Sequence, residues 1–114
     1  IQERVIDRVG GTKPVQVDIR IIATSNRNLA EAARNGAFRE DLLFRLNVVN
    51  LRIPPLRERP QDVQALADHF IDKYSKANGL PGRPLSTEAR KALALNTWPG
   101  NVRELENTLH RAVL

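Results

Sequence analysis

The sequence predicts an α/β segment followed by an all-α segment, on three observations. Residues 15–25 and 47–53 carry the apolar alternation and apolar block of β-strands, with helical spacing between them. After Pro54-Pro55 the apolar residues recur only at helical intervals. Aromatics are 4% of the chain, so its core must come from Leu, Ile, Val and Ala, the residues of helix bundles and buried strands.

Taken in order, residues 1–9 end a helix or form a short strand. Gly10-Gly11-Thr12-Lys13-Pro14 is an exposed loop, because paired glycines and a proline interrupt regular structure. The run VQVDIRIIATS, residues 15–25, opens with alternation and closes on Ile21-Ile22-Ala23, the pattern of a strand buried on both faces. Polar Thr24, Ser25 and Asn26 follow at once. Ligands sit at that end of a strand in an open α/β sheet, and the same switch also suits an ordinary strand-to-helix turn with an Asn cap. A short helix over Leu29–Arg34 stops at Asn35-Gly36. A second helix spans residues 38–46, with Phe38, Leu42 and Leu46 on one face. Residues 47–53 then place Val49, Leu51 and Ile53 on one side of a strand that Pro54-Pro55 ends. The charged connector Leu56-Arg57-Glu58-Arg59 divides the chain into residues 1–56 and 57–114.

In the second part Pro60 suits a first helical turn. Val63, Leu66, Ala67, Phe70, Ile71 and Tyr74 form an apolar stripe that ends before Asn78-Gly79. Residues 80–85, with Pro81, Gly82 and Pro84, are a loop. Ser86 caps a helix that runs to Leu95 with Ala89, Ala92 and Leu93 inward. A turn at Trp98-Pro99-Gly100 leads to the last helix. There Asn101 as cap and Glu104 three residues on resemble a capping box, and Val102, Leu105, Leu109, Ala112 and Val113 supply the buried stripe.

Composition narrows the function. No cysteine is present, which rules out a disulfide framework or a thiolate metal site and fits a reducing compartment, the cytoplasm by default. Nothing resembles a secretory signal or a membrane span. The chain holds no methionine and opens on Ile1-Gln2-Glu3, so it reads as a piece of a longer polypeptide. Its net charge is +5, and 14 of the 18 basic residues are arginines, the lysines being Lys13, Lys73, Lys76 and Lys91. Such a surface attracts phosphate, and the rigid fork of arginine suits bidentate contacts.

Two strings carry candidate chemistry. In WPGNVRELEN, residues 98–107, Arg103 falls in the first turn of a helix, where the macrodipole disfavours a cation. A bound phosphate would compensate, since the guanidinium and the helix N-terminus would share one anion. A salt bridge to Glu106, or plain solvation, would also explain the residue. In FREDLLFRL, Arg39 and Arg45 stand six residues apart. On a helix that separates them by roughly 120° in azimuth and about 9 Å along the axis, so they cannot be equivalent. If one reaches a phosphate, the other positions it or pairs with Glu40 or Asp41. Both could equally belong to a surface laced with exposed ion pairs.

These strings match a known family. From ERVIDRVGGTKPVQVDIRIIATSNR through FREDLLFRLNVV and IPPLRER to WPGNVRELEN, the whole chain resembles the central domain of bacterial sigma-54-dependent transcriptional activators, with several motifs in the family's order and spacing. The resemblance implies the C-terminal part of a AAA+ αβα P-loop ATPase core followed by a small all-α lid. It further implies a ring, usually hexameric, that hydrolyses ATP to remodel RNA polymerase bound to the sigma-54 factor. Ser25 and Asn26 match the family's sensor I. Arg39 and Arg45 match its two candidate arginine fingers, which reach the neighbouring subunit's nucleotide. Arg103 matches sensor II, with Val102 beside it near the base or ribose, and residues 8–14 match the second insertion loop.

The family's phosphate loop, Walker B acids and GAFTGA-like loop have no counterpart among these residues. The magnesium ligands are therefore expected outside this chain, and the 114 residues alone are expected neither to hydrolyse ATP nor to bind it tightly. Signal input and DNA binding are expected from domains not present here. Two competing readings remain. One is a basic helix-turn-helix DNA-binding module in residues 86–114, reading bases through Arg103, Asn107, His110 and Arg111. The other is a structural or oligomerisation bundle in residues 60–114.

Overall fold

The computed structural model describes all 114 residues and divides into two compact units, Ile1–Leu51 and Arg52–Leu114. The division falls a few residues before the expected one. Leu56, expected to close the first part, is fully buried in the core of the second.

The first unit begins with an antiparallel hairpin, β1 (Val5–Asp7) and β2 (Pro14–Gln16), in which Ile6 faces Val15. The intervening loop turns where Gly10 takes a φ of 76° and the Gly11 N–H donates to the Arg8 carbonyl at 2.8 Å. The strand expected over residues 15–25 is not formed beyond this hairpin. Only the Val17 N–H, donating to Arg4 O at 2.7 Å, extends the pairing. The strand expected over residues 47–53 is likewise unpaired. A strand exists only when a neighbour takes its N–H and C=O groups, and neither run has one. Their side chains are accordingly open to solvent, Ile22 at 89% and Leu51 at 86%.

Helix α1 (Leu29–Arg34) starts on Asn28, whose Oδ1 accepts from the Glu31 N–H at 3.1 Å. It closes where Gly36 turns left-handed and the N–H groups of Ala37 and Phe38 both donate to Ala32 O. Phe38 is thus spent in ending α1, and helix α2 (Glu40–Leu46) begins two residues later than residues 38–46 predict. The expected face of Phe38, Leu42 and Leu46 is half-buried, and only Ala32 is fully covered in this unit.

In the second unit a 3₁₀ turn (Leu56–Glu58) precedes α3 (Pro60–Ala77), α4 (Thr87–Leu95) and α5 (Asn101–Val113). The α3 stripe is buried or half-buried throughout and meets Leu93, Trp98, Leu105 and Leu109 in one core. Ser86 caps α4 as expected, its Oγ accepting from the Ala89 N–H at 3.1 Å. Gln64 and Asp68 hold α4 against α3 through the Arg90 carbonyl and guanidinium. Ala92 and Ala112, expected inward, are exposed, and the neighbouring Leu93 and Leu109 are the residues that enter the core there. No helix is long and apolar enough to cross a membrane.

Candidate functional site

The predicted site residues fall in both units, with Ser25, Asn26, Arg39 and Arg45 in the first and Val102 and Arg103 in the second. Ser25 and Asn26 lie in the exposed turn that precedes α1. The Ser25 Oγ accepts from the Arg27 N–H at 3.0 Å, and Asn28, two residues past Asn26, supplies the helix cap. This leaves the Asn26 side chain uncommitted to the turn.

Arg39 and Arg45 bracket α2 and differ in what they hold. Arg39 is the residue just before the helix, in extended backbone, and its guanidinium forks onto Asp41, with Nε donating to Oδ1 at 3.0 Å and Nη2 to Oδ2. That guanidinium, aided by the Leu42 N–H, holds the Asp41 carboxyl below the ordinary carboxylate range. Arg45, in the last turn, donates instead to the neutral amide oxygen of Gln2. Arg39 therefore stands beside a balancing charge, whereas Arg45 carries a full positive charge on a partner that offers none.

Arg103 sits exposed in the first turn of α5, with Val102 beside it packed against the core. No protein acceptor takes the N–H groups of Val102 or Arg103. An arginine side chain beside open N–H groups at a helix start has the chemistry that suits an anion. The unfavourable dipole at Arg103 is offset by its neighbour, since Glu104 Oε1 accepts from the Gly100 N–H at 2.8 Å and puts a carboxylate in the same turn. The capping box expected on Asn101 is not made: Gly100 is the cap residue, the Asn101 N–H donates to Trp98 O at 2.8 Å, and Asn101, with a φ of 50°, accepts at its Oδ1 from the Leu56 N–H at 3.0 Å.

Glu106, a possible partner for Arg103, is engaged elsewhere. Its Oε1 accepts from Lys73 Nζ at 2.8 Å and from Tyr74 OH at 2.6 Å, which hold its carboxyl below the usual range, Lys73 more than Tyr74. The Tyr74 ring stacks on His110 at 3.9 Å. His110 is thus occupied within the bundle, and the turn between α4 and α5 spans residues 96–100, longer than that of a helix-turn-helix. No three His, Asp or Glu side chains gather to hold a metal ion. Sequence reasoning did not find the Gln2 contact of Arg45 or the Leu56 contact of Asn101, since both join residues more than 40 positions apart.

Two family models cover the chain in order, the sigma-54 interaction domain over residues 1–52 and the AAA+ ATPase lid domain over residues 57–114. The chain belongs to the sigma-54 activator family of AAA+ proteins. It is 68% identical over its full length to the transcriptional regulatory protein FlbD of Caulobacter vibrioides. It is 56% identical to the nitrogen fixation protein AnfA of Azotobacter vinelandii and 46% to the regulatory protein AtoC of Escherichia coli. The chain spans 25%, 21% and 25% of these three relatives. Among solved structures, NtrX from Brucella abortus matches at 38% identity with a TM-score of 0.89, over 96% of this chain and 25% of that one. NtrX in complex with ADP matches with a TM-score of 0.87 over 98% of this chain and 26% of that one, and its complex with ATP with 0.85 over 96% and 25%. The AAA+ core part plus helical lid implied by the motif resemblance is therefore the fold of this chain.

Proposed function

We propose that this chain is the sensing and finger-bearing part of an ATPase that assembles into a hexameric ring and remodels sigma-54 RNA polymerase in the cytoplasm, with DNA bound by another domain. 

In this reading the residues present supply phosphate contacts through their arginines. Magnesium and the phosphate cradle belong to polypeptide outside these residues. The observation that carries this reading is the ordered match of both family models, over residues 1–52 and 57–114, and Arg39, Arg45 and Arg103 are each exposed. The nucleotide complexes of NtrX support ATP as the ligand.

In this reading residues 1–56 are the end of the ATPase core and residues 57–114 its lid. Ser25 and Asn26 sense the γ-phosphate and attacking water as sensor I. Arg45, whose charge is unbalanced, meets the transition-state charge in the neighbouring subunit, and Arg39 positions it from its pair with Asp41. Arg103 contacts the nucleotide of its own subunit as sensor II, and Val102, anchored in the core, lies near the base or ribose.

The test mixes, in the intact parent, a subunit defective in its phosphate loop with one carrying Arg45→Ala. ATPase activity regained in the mixed ring is the expected result. No gain over either parent, with ring assembly confirmed, would count against action across subunits. For the 114 residues alone, titration calorimetry should detect no tight ATP binding, and micromolar affinity would defeat the assignment of the cradle to other residues.

A further inference from the structure

The turn leading into α5 is built in an unusual way. Trp98 and Asn101 both lie in the left-handed region, with φ of 49° and 50°. That conformation is costly for most side chains and least so for Asn and Gly. Gly100 between them has no room for a Cβ, which would stand 2.6 Å from the Glu104 Cβ. The bend turns Asn101 away from the N–H groups of its own helix. Its Oδ1 reaches the Leu56 N–H at 3.0 Å, and its Nδ2 donates to Pro99 O at 3.4 Å. Leu56 is fully buried, opens the 3₁₀ turn, and is the first residue that the chain contributes to the helical core. Two residues beyond Asn101 stands Arg103.

We propose that Asn101 is a positioning residue for nucleotide sensing, tying the turn that carries Arg103 to the segment through which the chain enters the helical unit. The inference rests on the reading of Arg103 as a nucleotide contact. A phosphate that draws on Arg103 acts on a turn fastened on two sides, by buried Trp98 before it and by the Leu56 bond across it. Displacement of the turn is therefore delivered to Leu56 and not lost in local fraying. Without the bond the first turn of α5 must be ordered when nucleotide binds, and affinity falls.

The experiment measures kcat and the KM for ATP in the intact parent for Asn101→Gly, Asn101→Asp, Arg103→Ala and the Asn101→Gly/Arg103→Ala pair. Glycine keeps the left-handed backbone and removes the acceptor, whereas aspartate keeps both. Asn101→Gly should raise the KM for ATP roughly 3- to 10-fold, as loss of one hydrogen bond allows. Asn101→Asp should restore it, and the pair should be no worse than Arg103→Ala alone. A fall in kcat at unchanged KM, or additive losses in the pair, would overturn the proposal and leave Asn101 a stability residue. An unchanged KM in Arg103→Ala would instead overturn the nucleotide reading of Arg103. The ADP-induced rise in unfolding temperature gives the same comparison for a variant too unstable to assay. It should be smaller in Asn101→Gly than in Asn101→Asp, and equal rises would overturn the proposal.

Discussion

Trp98 is 2% exposed, and its indole Nε1 donates to the Leu93 carbonyl at 2.8 Å. That carbonyl belongs to the last turn of α4, where helix geometry leaves acceptors without partners. Trp98→Phe keeps most of the apolar volume and strands the acceptor, so it should cost about 1–3 kcal/mol. The chain has a single tryptophan, so the loss is best followed by circular dichroism in urea. A midpoint equal to that of the parent chain would show that the indole bond adds nothing. Arg103→Ala, at an exposed position, should shift the stability of the chain by no more than about 0.5 kcal/mol in the same urea unfolding. The turn at residues 98–100 was legible from its proline and glycine. The left-handed backbone at Trp98 and the reach of Asn101 to Leu56 were not, because local preference opposes the first and no short period encodes the second.

At the scale of elements, α3 and α5 are joined across their exposed edge by Lys73, Tyr74 and Glu106. The Glu106 carboxyl is held below its ordinary value of 4.5, so its contribution is present above that pH and is lost as pH falls through the lowered native value. Lys73 is raised above 10.5, chiefly by Glu106, and its contribution is present below that pH and is lost as pH rises through the raised value. Tyr74 is raised above 10.0 by the same carboxylate and acts in the same sense as Lys73. Thermal unfolding of the chain should therefore show Glu106→Gln as less stable than the parent at pH 7, with the difference shrinking as pH falls below 4.5. A difference that persists unchanged into acid would show that the charge of Glu106 is not what matters. The stripes of α3 and α5 were legible because helix period and burial agree along them. The two strand-like runs were legible as apolar patterns but not as elements, since pairing depends on a neighbour that a single run cannot specify.

Across the whole chain the apolar interior is unevenly shared. Leu56, Val63, Ala67, Phe70, Leu93, Trp98, Leu105 and Leu109 form the core of the helical unit, whereas the first unit fully buries only Ala32. In the helical unit Ser86 caps α4, and Arg90, Gln64 and Asp68 cross-link α4 to α3. The first unit relies on a short hairpin and two short helices, with Ile19, Ile22, Val48 and Val49 exposed. Local opening is governed by how many buried contacts hold a segment, so the two units should differ in protection. Limited digestion of the 114-residue chain with a protease of broad specificity should cut within residues 17–28 and 47–55 first. The surviving product should start near Arg52 and retain α3, α4 and α5. Cleavage inside α3 or α5 at the same rate would mean that the core around Leu56 and Trp98 does not hold by itself, and that the helical unit needs polypeptide outside it to stay folded.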